Sequence, residues 1–175
     1  FRVCFVLRYS NFGFHIGSRV TLLAKVYIAV GSNLGNRASL VKQAEDRLQM
    51  VPGIYFKKKS PLYETEPVGG PVQGKYLNGV WEIETRLEAN ALLNELIEIE
   101  TSLGRVRKKK NEPRPIDLDI LFYGDKIIQN EDLSIPHPRL HERWFVLKPL
   151  ADLCPNLVHP KKKKTVRELL SKVSA

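Results

Sequence analysis

Cysteine and long apolar runs are both scarce in this chain. Its two cysteines, Cys4 and Cys154, lie far apart, which excludes a disulfide framework and a zinc site built on closely spaced cysteines. No segment approaches the roughly 18 to 20 consecutive apolar residues that a membrane-spanning helix needs. We therefore expect no membrane partner and a location in the reducing cytoplasm.

Acidic residues are missing from the beginning of the chain, since none precedes Glu45. Residues 1–25 combine four basic residues with several aromatic ones, a composition that fits a transit peptide or an extension that is not part of the mature domain. We treat this segment as an atypical N-terminal extension. A chain of 175 residues is long enough for one core, so we predict a single domain over residues 26–175.

Positive charge is in excess, with a formal net charge of +9 and a pI near 9.6. Such a balance indicates attraction to polyanions. Nucleic acid, an anionic membrane surface and phosphorylated small molecules all fit, and the charge alone does not select one of them.

Hydrophobic patterning predicts the element order β-α-β-β-α-β. Strands are expected at 26–30, at 54–65 with a bend at Pro61, at 76–85 and at 116–123. One helix should follow a cap near Asn36, and a second should end at Gly104. A last helical region contains Phe145, Leu147 and Leu150. This order predicts an α+β split βαβ sandwich, in which helices pack on one face of an antiparallel sheet.

Two aspartates, Asp117 and Asp119, fall on the last predicted strand. Because side chains alternate along a strand, both carboxylates should lie on one face, with Ile116, Leu118 and Ile120 on the other. Carboxylates about 7 Å apart repel each other by ~2 kcal/mol at an effective dielectric near 20. Either nearby cations neutralise them as surface salt bridges, or both bind a hard cation such as Mg²⁺ together with substrate phosphates.

A basic segment directly precedes this strand, with six cationic residues among the ten positions from Arg105 to Arg114. Arginine binds a phosphate through two parallel hydrogen bonds, whereas lysine acts as a point charge. A solvated loop or a nucleic-acid patch would account for the lysines. Prolines 113 and 115 restrict the backbone on both sides of Arg114, which favours a phosphate site for the arginines.

Six sequence strings, in this order and spacing, resemble the 6-hydroxymethyl-7,8-dihydropterin pyrophosphokinase family of folate biosynthesis. They are "AVGSNLGNR", "KYLNGV", "LGRVR", "PRPIDLDILFYG", "IPHPRLHERWFVLKPL" and "ADLCPNLVHP". The resemblance implies a ferredoxin-like α/β sandwich. It also implies an enzyme that transfers pyrophosphate from ATP to the hydroxymethyl group of the pterin and releases AMP, with two Mg²⁺ ions. We expect a monomer with small-molecule partners and no nucleic acid.

The resemblance also assigns roles to individual residues. The implied catalytic residues are Arg105, Arg114, Asp117 and Asp119, and the two aspartates are also the implied metal ligands. The implied ATP-binding residues are Arg107, Lys108, His137 and Arg143. The implied pterin-binding residues are Thr65, Val68, Tyr76, Asn78, Glu100 and Phe145.

The chain departs from the family pattern near the implied ATP site. Asn111 and Glu112 stand where many members have Trp-Gly, so we expect altered closure over ATP. Asp132 and Pro138 stand where some members have an arginine and an aromatic residue, so we expect fewer phosphate contacts.

Two other functions fit parts of the sequence. A basic RNA-binding module could present Tyr76 and Trp81 on its sheet, but it gives no reason for paired aspartates and the chain lacks an RNP-like glycine-aromatic string. A Mg²⁺-dependent phosphohydrolase could use the same acids, but it would need further carboxylate or histidine ligands that the flanking residues do not supply.

Overall fold

The computed structural model describes residues 23–69, 71–106 and 112–174. The elements in chain order are β1 Ala24–Ser32, α1 Arg37–Met50, β2 Ile54–Lys59, β3 Tyr63–Thr65, β4 Tyr76–Thr85, α2 Ala89–Ser102, β5 Asp117–Tyr123, β6 Ile128–Gln129, β7 Ser134–Ile135, a 3-10 turn Leu140–Glu142, α3 Trp144–Leu153 and α4 Val166–Leu170. Residues 1–22, which make up most of the predicted N-terminal extension, lie outside the described residues.

The main sheet has the order β2-β4-β1-β5, and all its neighbouring strands are antiparallel. The predicted second strand is divided around Pro61 into β2 and β3, which pair with opposite ends of β4. The predicted β-α-β-β-α-β order and the antiparallel sheet of a ferredoxin-like split βαβ sandwich are therefore confirmed. The short strands β6 and β7 form a separate ribbon.

Helices α1 and α2 pack on one face of this sheet. The side chain of Asn36 accepts a hydrogen bond from the Ser39 N–H at 3.1 Å, so the predicted cap begins α1. Helix α2 ends just before Gly104, whose φ of +89° places it in the left-handed region that glycine adopts without strain. Leu48 of α1 and Leu96 of α2 are fully buried against the sheet.

Helices α3 and α4 form a second apolar cluster with the opposite side of the strands. This cluster contains Tyr27, Val80 and Phe122 of the sheet together with Leu147 of α3 and Leu169 of α4. The expectation that helices cover one face thus applies to α1 and α2 only. The strands carry apolar residues on both faces, and a sheet that is apolar on both sides needs cover on both.

Trp81 is 1% exposed and packs in the core beneath α1 and α2. An RNA-binding sheet would need this ring at the surface, so the structure removes one of the two aromatic residues that suggested that function. None of the helices in the described ranges has the length and apolar character required to cross a bilayer.

Candidate active site

The two aspartates of β5 lie on the predicted face. Ile116, Leu118 and Ile120 are buried in the core next to α2, so Asp117 and Asp119 point to the other side of the strand. On the neighbouring strand β1 their register partners are a glycine and an alanine. Small residues there leave room above the sheet beside both carboxylates.

Gly31 is the glycine opposite Asp117, and it also pairs with Asn78 on the other side. A Cβ atom at this position would lie 2.9 Å from Oδ1 of Asn78 and 3.9 Å from Cβ of Asp117. A side chain at Gly31 would therefore displace the Asn78 carboxamide. The family strings include this glycine, but the sequence gives no sign that it lies between two site residues, because that follows from strand order.

Both carboxylate oxygens of Asp117 accept hydrogen bonds from arginines. Nη1 of Arg105 donates to Oδ1, and Nη1 of Arg114 donates to Oδ2 at 3.0 Å. The salt bridges that sequence reasoning left open are therefore present at Asp117. They do not extend to Asp119, for which no ion pair is found in the described part of the chain.

The surroundings of Asp119 disfavour the charged form of its carboxyl group. Burial, followed by the negative charges of Asp117 and Glu100, raises its pKa to about 7, and Arg143 and Arg105 offset this only in part. A carboxylate with too little compensating positive charge, beside a second carboxylate, suits a hard cation. Across the described residues there is no cluster of three or more histidine, cysteine or acidic side chains that could hold a metal, so a cation here would complete its shell with water and substrate oxygens.

Glu100 lies on α2 and is not among the residues that line the cavity shared by Asp117 and Asp119. It is 1% exposed, it forms an ion pair with Arg105, and it accepts a hydrogen bond from the backbone N–H of Leu118 at 2.7 Å. This acceptor satisfies a donor of β5, which is an edge strand. Glu100 thus links Arg105 to β5.

Arg114 is held by a residue that the sequence analysis did not select. Oδ1 of Asn33 accepts from the Arg114 N–H at 2.8 Å, and the Asn33 N–H donates to the Arg114 carbonyl at 3.2 Å. The Asn33 side chain also donates to Oε1 of Gln73 at 2.8 Å. Asn33 thus connects the segment before β5 to the loop before β4.

His137 and Arg143 flank the 3-10 turn on the other side of the aspartates. The Arg139 N–H donates to Nδ1 of His137 at 3.3 Å, which places the ring hydrogen on Nε2. Burial, followed by the charge of Arg143, lowers the pKa of His137 to about 4, so the ring is neutral at pH 7. Arg143 directly precedes α3, and its guanidinium lies 5.6 Å from the centre of the Phe145 ring.

The predicted pterin-binding residues of the sheet lie next to one another. Thr65 on β3 pairs with Tyr76 on β4, and Nδ2 of Asn78 donates to Oγ1 of Thr65 at 2.8 Å. Phe145 on α3 lines the same cavity, and Val68, which is 67% exposed, lies at its edge.

One cavity of about 460 Å³ brings most of these residues together, a volume within the usual range for small-molecule sites. The predicted residues that line it are Thr65, Val68, Tyr76, Asn78, Arg105, Arg114, Asp117, Asp119, His137, Arg143 and Phe145. Arg107 and Lys108 lie outside the described residues. Lining residues that were not predicted include Gly31, Glu66, Gln73, Glu112 and Arg139.

The lining of this cavity combines two kinds of chemistry. Arginines, a neutral histidine and two carboxylates supply charge and donors, and a carboxamide, a hydroxyl group and aromatic rings supply hydrogen-bonding and flat apolar surface. Such a site defines an enzyme-like pocket that can hold a phosphorylated ligand and its cation beside a flat, hydrogen-bonding molecule.

Comparison with known proteins identifies the family. The sequence matches the profile of 7,8-dihydro-6-hydroxymethylpterin-pyrophosphokinase (HPPK) over residues 27–155, and the chain belongs to this family. The 2-amino-4-hydroxy-6-hydroxymethyldihydropteridine pyrophosphokinase of Bacillus subtilis is 44% identical over 128 residues, which cover 73% of this chain and 77% of that protein.

Some relatives are much longer than this chain. Folic acid synthesis protein fol1 of Pneumocystis carinii is 50% identical over 135 residues, or 77% of this chain. The chain spans 18% of that protein and 20% of its counterpart in Schizosaccharomyces pombe. The fold is also similar to the crystal structure of Plasmodium falciparum HPPK-DHPS with pteroate, with a TM-score of 0.71 over 86% of this chain and 42% of that chain. Sequence identity to that structure is 16%, so it supports the fold alone.

Proposed function

We propose that this chain transfers pyrophosphate from ATP to the hydroxymethyl oxygen of 6-hydroxymethyl-7,8-dihydropterin and releases AMP, a step of folate biosynthesis. The observation that carries this proposal is the shared cavity, which brings the paired aspartates and Arg114 together with Asn78 and Phe145. Membership of the HPPK family supports the same reaction.

Asp117 and Asp119 would suit two Mg²⁺ ions because they are oxygen ligands and, within residues 23–69, 71–106 and 112–174, no cation pairs directly with Asp119. When bound, the ions would neutralise negative charge on the transferred phosphate. Arg105 and Arg114 each have five N–H donors. They can therefore hold Asp117 and still donate to phosphate oxygens, which stabilises the charge that develops during transfer.

Further nucleotide contacts would come from the segment before α3. Nε2 of the neutral His137 can donate a hydrogen bond to a phosphate oxygen without adding charge, while Arg143 supplies a full positive charge. Arg107 and Lys108 stay predicted contacts on the nucleotide side.

The pterin would lie against the residues that β4 and α3 contribute to the cavity. Phe145 can stack on the planar ring, and the Asn78 carboxamide offers both a donor and an acceptor to the amide-like edge of the pterin. Tyr76, Thr65 and Val68 would complete the pterin site. Glu100 would act at a distance, by holding Arg105 and β5 in position.

Several finer features of this assignment are also proposals. We propose two metal ions, a monomeric enzyme with small-molecule substrates, and a cytoplasmic location. The two carboxylates of the site support the proposal of two metal ions. The scarcity of cysteine is consistent with a cytoplasmic location.

The deciding assay incubates the purified chain with ATP, Mg²⁺ and the hydroxymethyl dihydropterin and separates the nucleotide products. We expect AMP to form only when the pterin is present. ADP as the product, or hydrolysis that does not depend on pterin, would refute the proposal and favour a phosphohydrolase.

A second test concerns the aspartates. Asp117→Ala and Asp119→Ala should each lower turnover by at least ~100-fold while the far-UV spectrum is retained, because each removes a ligand of the ions that stabilise the transferring phosphate. Asp125→Ala, an exposed aspartate just after the same strand, is the matched control and should keep full activity. Full turnover in both site variants would exclude the two-metal assignment.

A further inference from the structure

Arg139 lies on the cavity wall between His137 and Arg143, and none of the sequence patterns selected it. Its side chain is 51% exposed, and its ion pair with Glu142 is long, with Nε 3.7 Å from Oε2 of a side chain that is itself 56% exposed. Exposed pairs of this kind contribute little free energy. The Arg139 side chain is therefore available for a ligand in the cavity.

The backbone around Arg139 is well fixed although the side chain is exposed. Its N–H donates to Nδ1 of His137, and its carbonyl accepts from the Glu142 N–H at 3.2 Å. Leu140, the next residue, is fully buried in the cluster under α3. The base of the Arg139 side chain is thus held at a constant position beside the cavity.

Three arginines, Arg114, Arg139 and Arg143, line the cavity and interact electrostatically with one another. Burial, followed by the charge of Arg139, lowers the pKa of Arg143, as expected for two guanidinium groups on the same cavity wall. Repulsion by Arg114 acts in the same direction. Asp117 already accepts from two arginines, so a ligand with several negative charges would relieve the repulsion better than the side chains that are present.

We propose that Arg139 is a further triphosphate-binding residue of this chain, which contacts ATP together with His137 and Arg143. This inference rests on the proposed function, because it assumes ATP as the ligand. It implies that Arg139 contributes to nucleotide affinity and not to pterin affinity.

Isothermal titration with Mg²⁺ and a non-hydrolysable methylene analogue of ATP tests this inference. Arg139→Ala should raise the Kd of the analogue about tenfold, as expected for loss of a charge-assisted hydrogen bond. Arg139→Lys should lie between the wild type and Arg139→Ala, and Arg139→Glu should bind more weakly than either. Each substitution keeps the backbone N–H that bonds to His137, so a loss that follows side-chain charge in this order reports a direct contact.

The controls separate this inference from the proposed function. Arg86→Ala removes an exposed arginine outside the cavity and should leave the Kd unchanged, and the pterin Kd should be unchanged in every Arg139 variant. If the wild type binds the analogue and Arg139→Ala binds it equally well, the role of Arg139 is refuted while the proposed function stands. If the wild type binds no analogue, the proposed function itself is refuted.

Discussion

Glu100 offers a direct test of how the floor of the cavity is held in place. The Glu100→Ala substitution leaves the Leu118 N–H of β5 without its 2.7 Å acceptor and leaves Arg105 with Asp117 as its remaining carboxylate partner. An unsatisfied buried donor costs about 1–3 kcal/mol, and breaking a buried ion pair costs about 3–5 kcal/mol. The two losses share one carboxylate and overlap, so we expect Glu100→Ala to lower the free energy of unfolding by ~3–5 kcal/mol.

Glu100→Gln separates the two contributions. A glutamine oxygen can still accept from Leu118 while the charge opposite Arg105 is lost, and we expect a cost of ~1–2 kcal/mol. Urea denaturation followed by far-UV circular dichroism measures both values. Glu98→Ala, at an exposed position of the same helix, is the control and should change stability by less than ~0.5 kcal/mol. Equal costs for the glutamine and alanine variants, or a cost below ~1 kcal/mol for alanine, would refute this account.

Three further predictions concern the cavity itself. Gly31→Ala places a Cβ 2.9 Å from Oδ1 of Asn78, so pterin affinity measured by calorimetric titration should fall about tenfold. Affinity for the ATP analogue should be kept, and unchanged pterin binding would contradict the geometry. Asn33→Ala removes the acceptor of the Arg114 N–H, so kcat should fall about tenfold for a stability cost near 1 kcal/mol, and an unchanged kcat would show that this contact does not position Arg114. Burial and neighbouring carboxylates raise the pKa of Asp119 from 3.8 to about 7, so the folded state binds this proton more tightly than the unfolded state. In metal-free protein, the stability of the wild type relative to Asp119→Asn should therefore be greatest at low pH and fall as the pH rises from about 4 to about 7; a difference that does not vary with pH would contradict the shift.

Local rules predicted much of the fold and part of the site. Alternation along β5 placed Asp117 and Asp119 on one face and three apolar residues in the core, because the side-chain period of a strand does not depend on its neighbours. Asn36 and Gly104 marked helix ends for equally local reasons, since capping is set by residues within one turn. Of the basic segment before β5, Arg105 and Arg114 line the cavity, and residues 107–111 lie outside the described ranges.

Other features depend on which strands become neighbours and could not be read from local patterns. Gly31 lies between Asn78 and Asp117 because β1 lies between β4 and β5. Asn33 contacts Arg114 because the end of β1 lies next to the segment that contains Arg114. Helical periodicity placed Glu100 beside the core but did not reveal its partner, a backbone N–H of another element. The last predicted helical region coincides with α3, but its packing on the second sheet face was missed, because strands that carry apolar residues on both sides do not show which face a helix covers.

The position of β5 at the edge of the sheet has a consequence for synthesis of the chain. Its partner is β1, the first strand, so at normal elongation rates β1 keeps one edge unpaired for on the order of 10 s until β5 has been made. Unpaired strand edges are templates for association with other chains. The same delay means that Asp117 and Asp119, the proposed metal ligands, join the cavity last among the strands of the main sheet, and a nascent chain lacking β5 lacks both of these carboxylates.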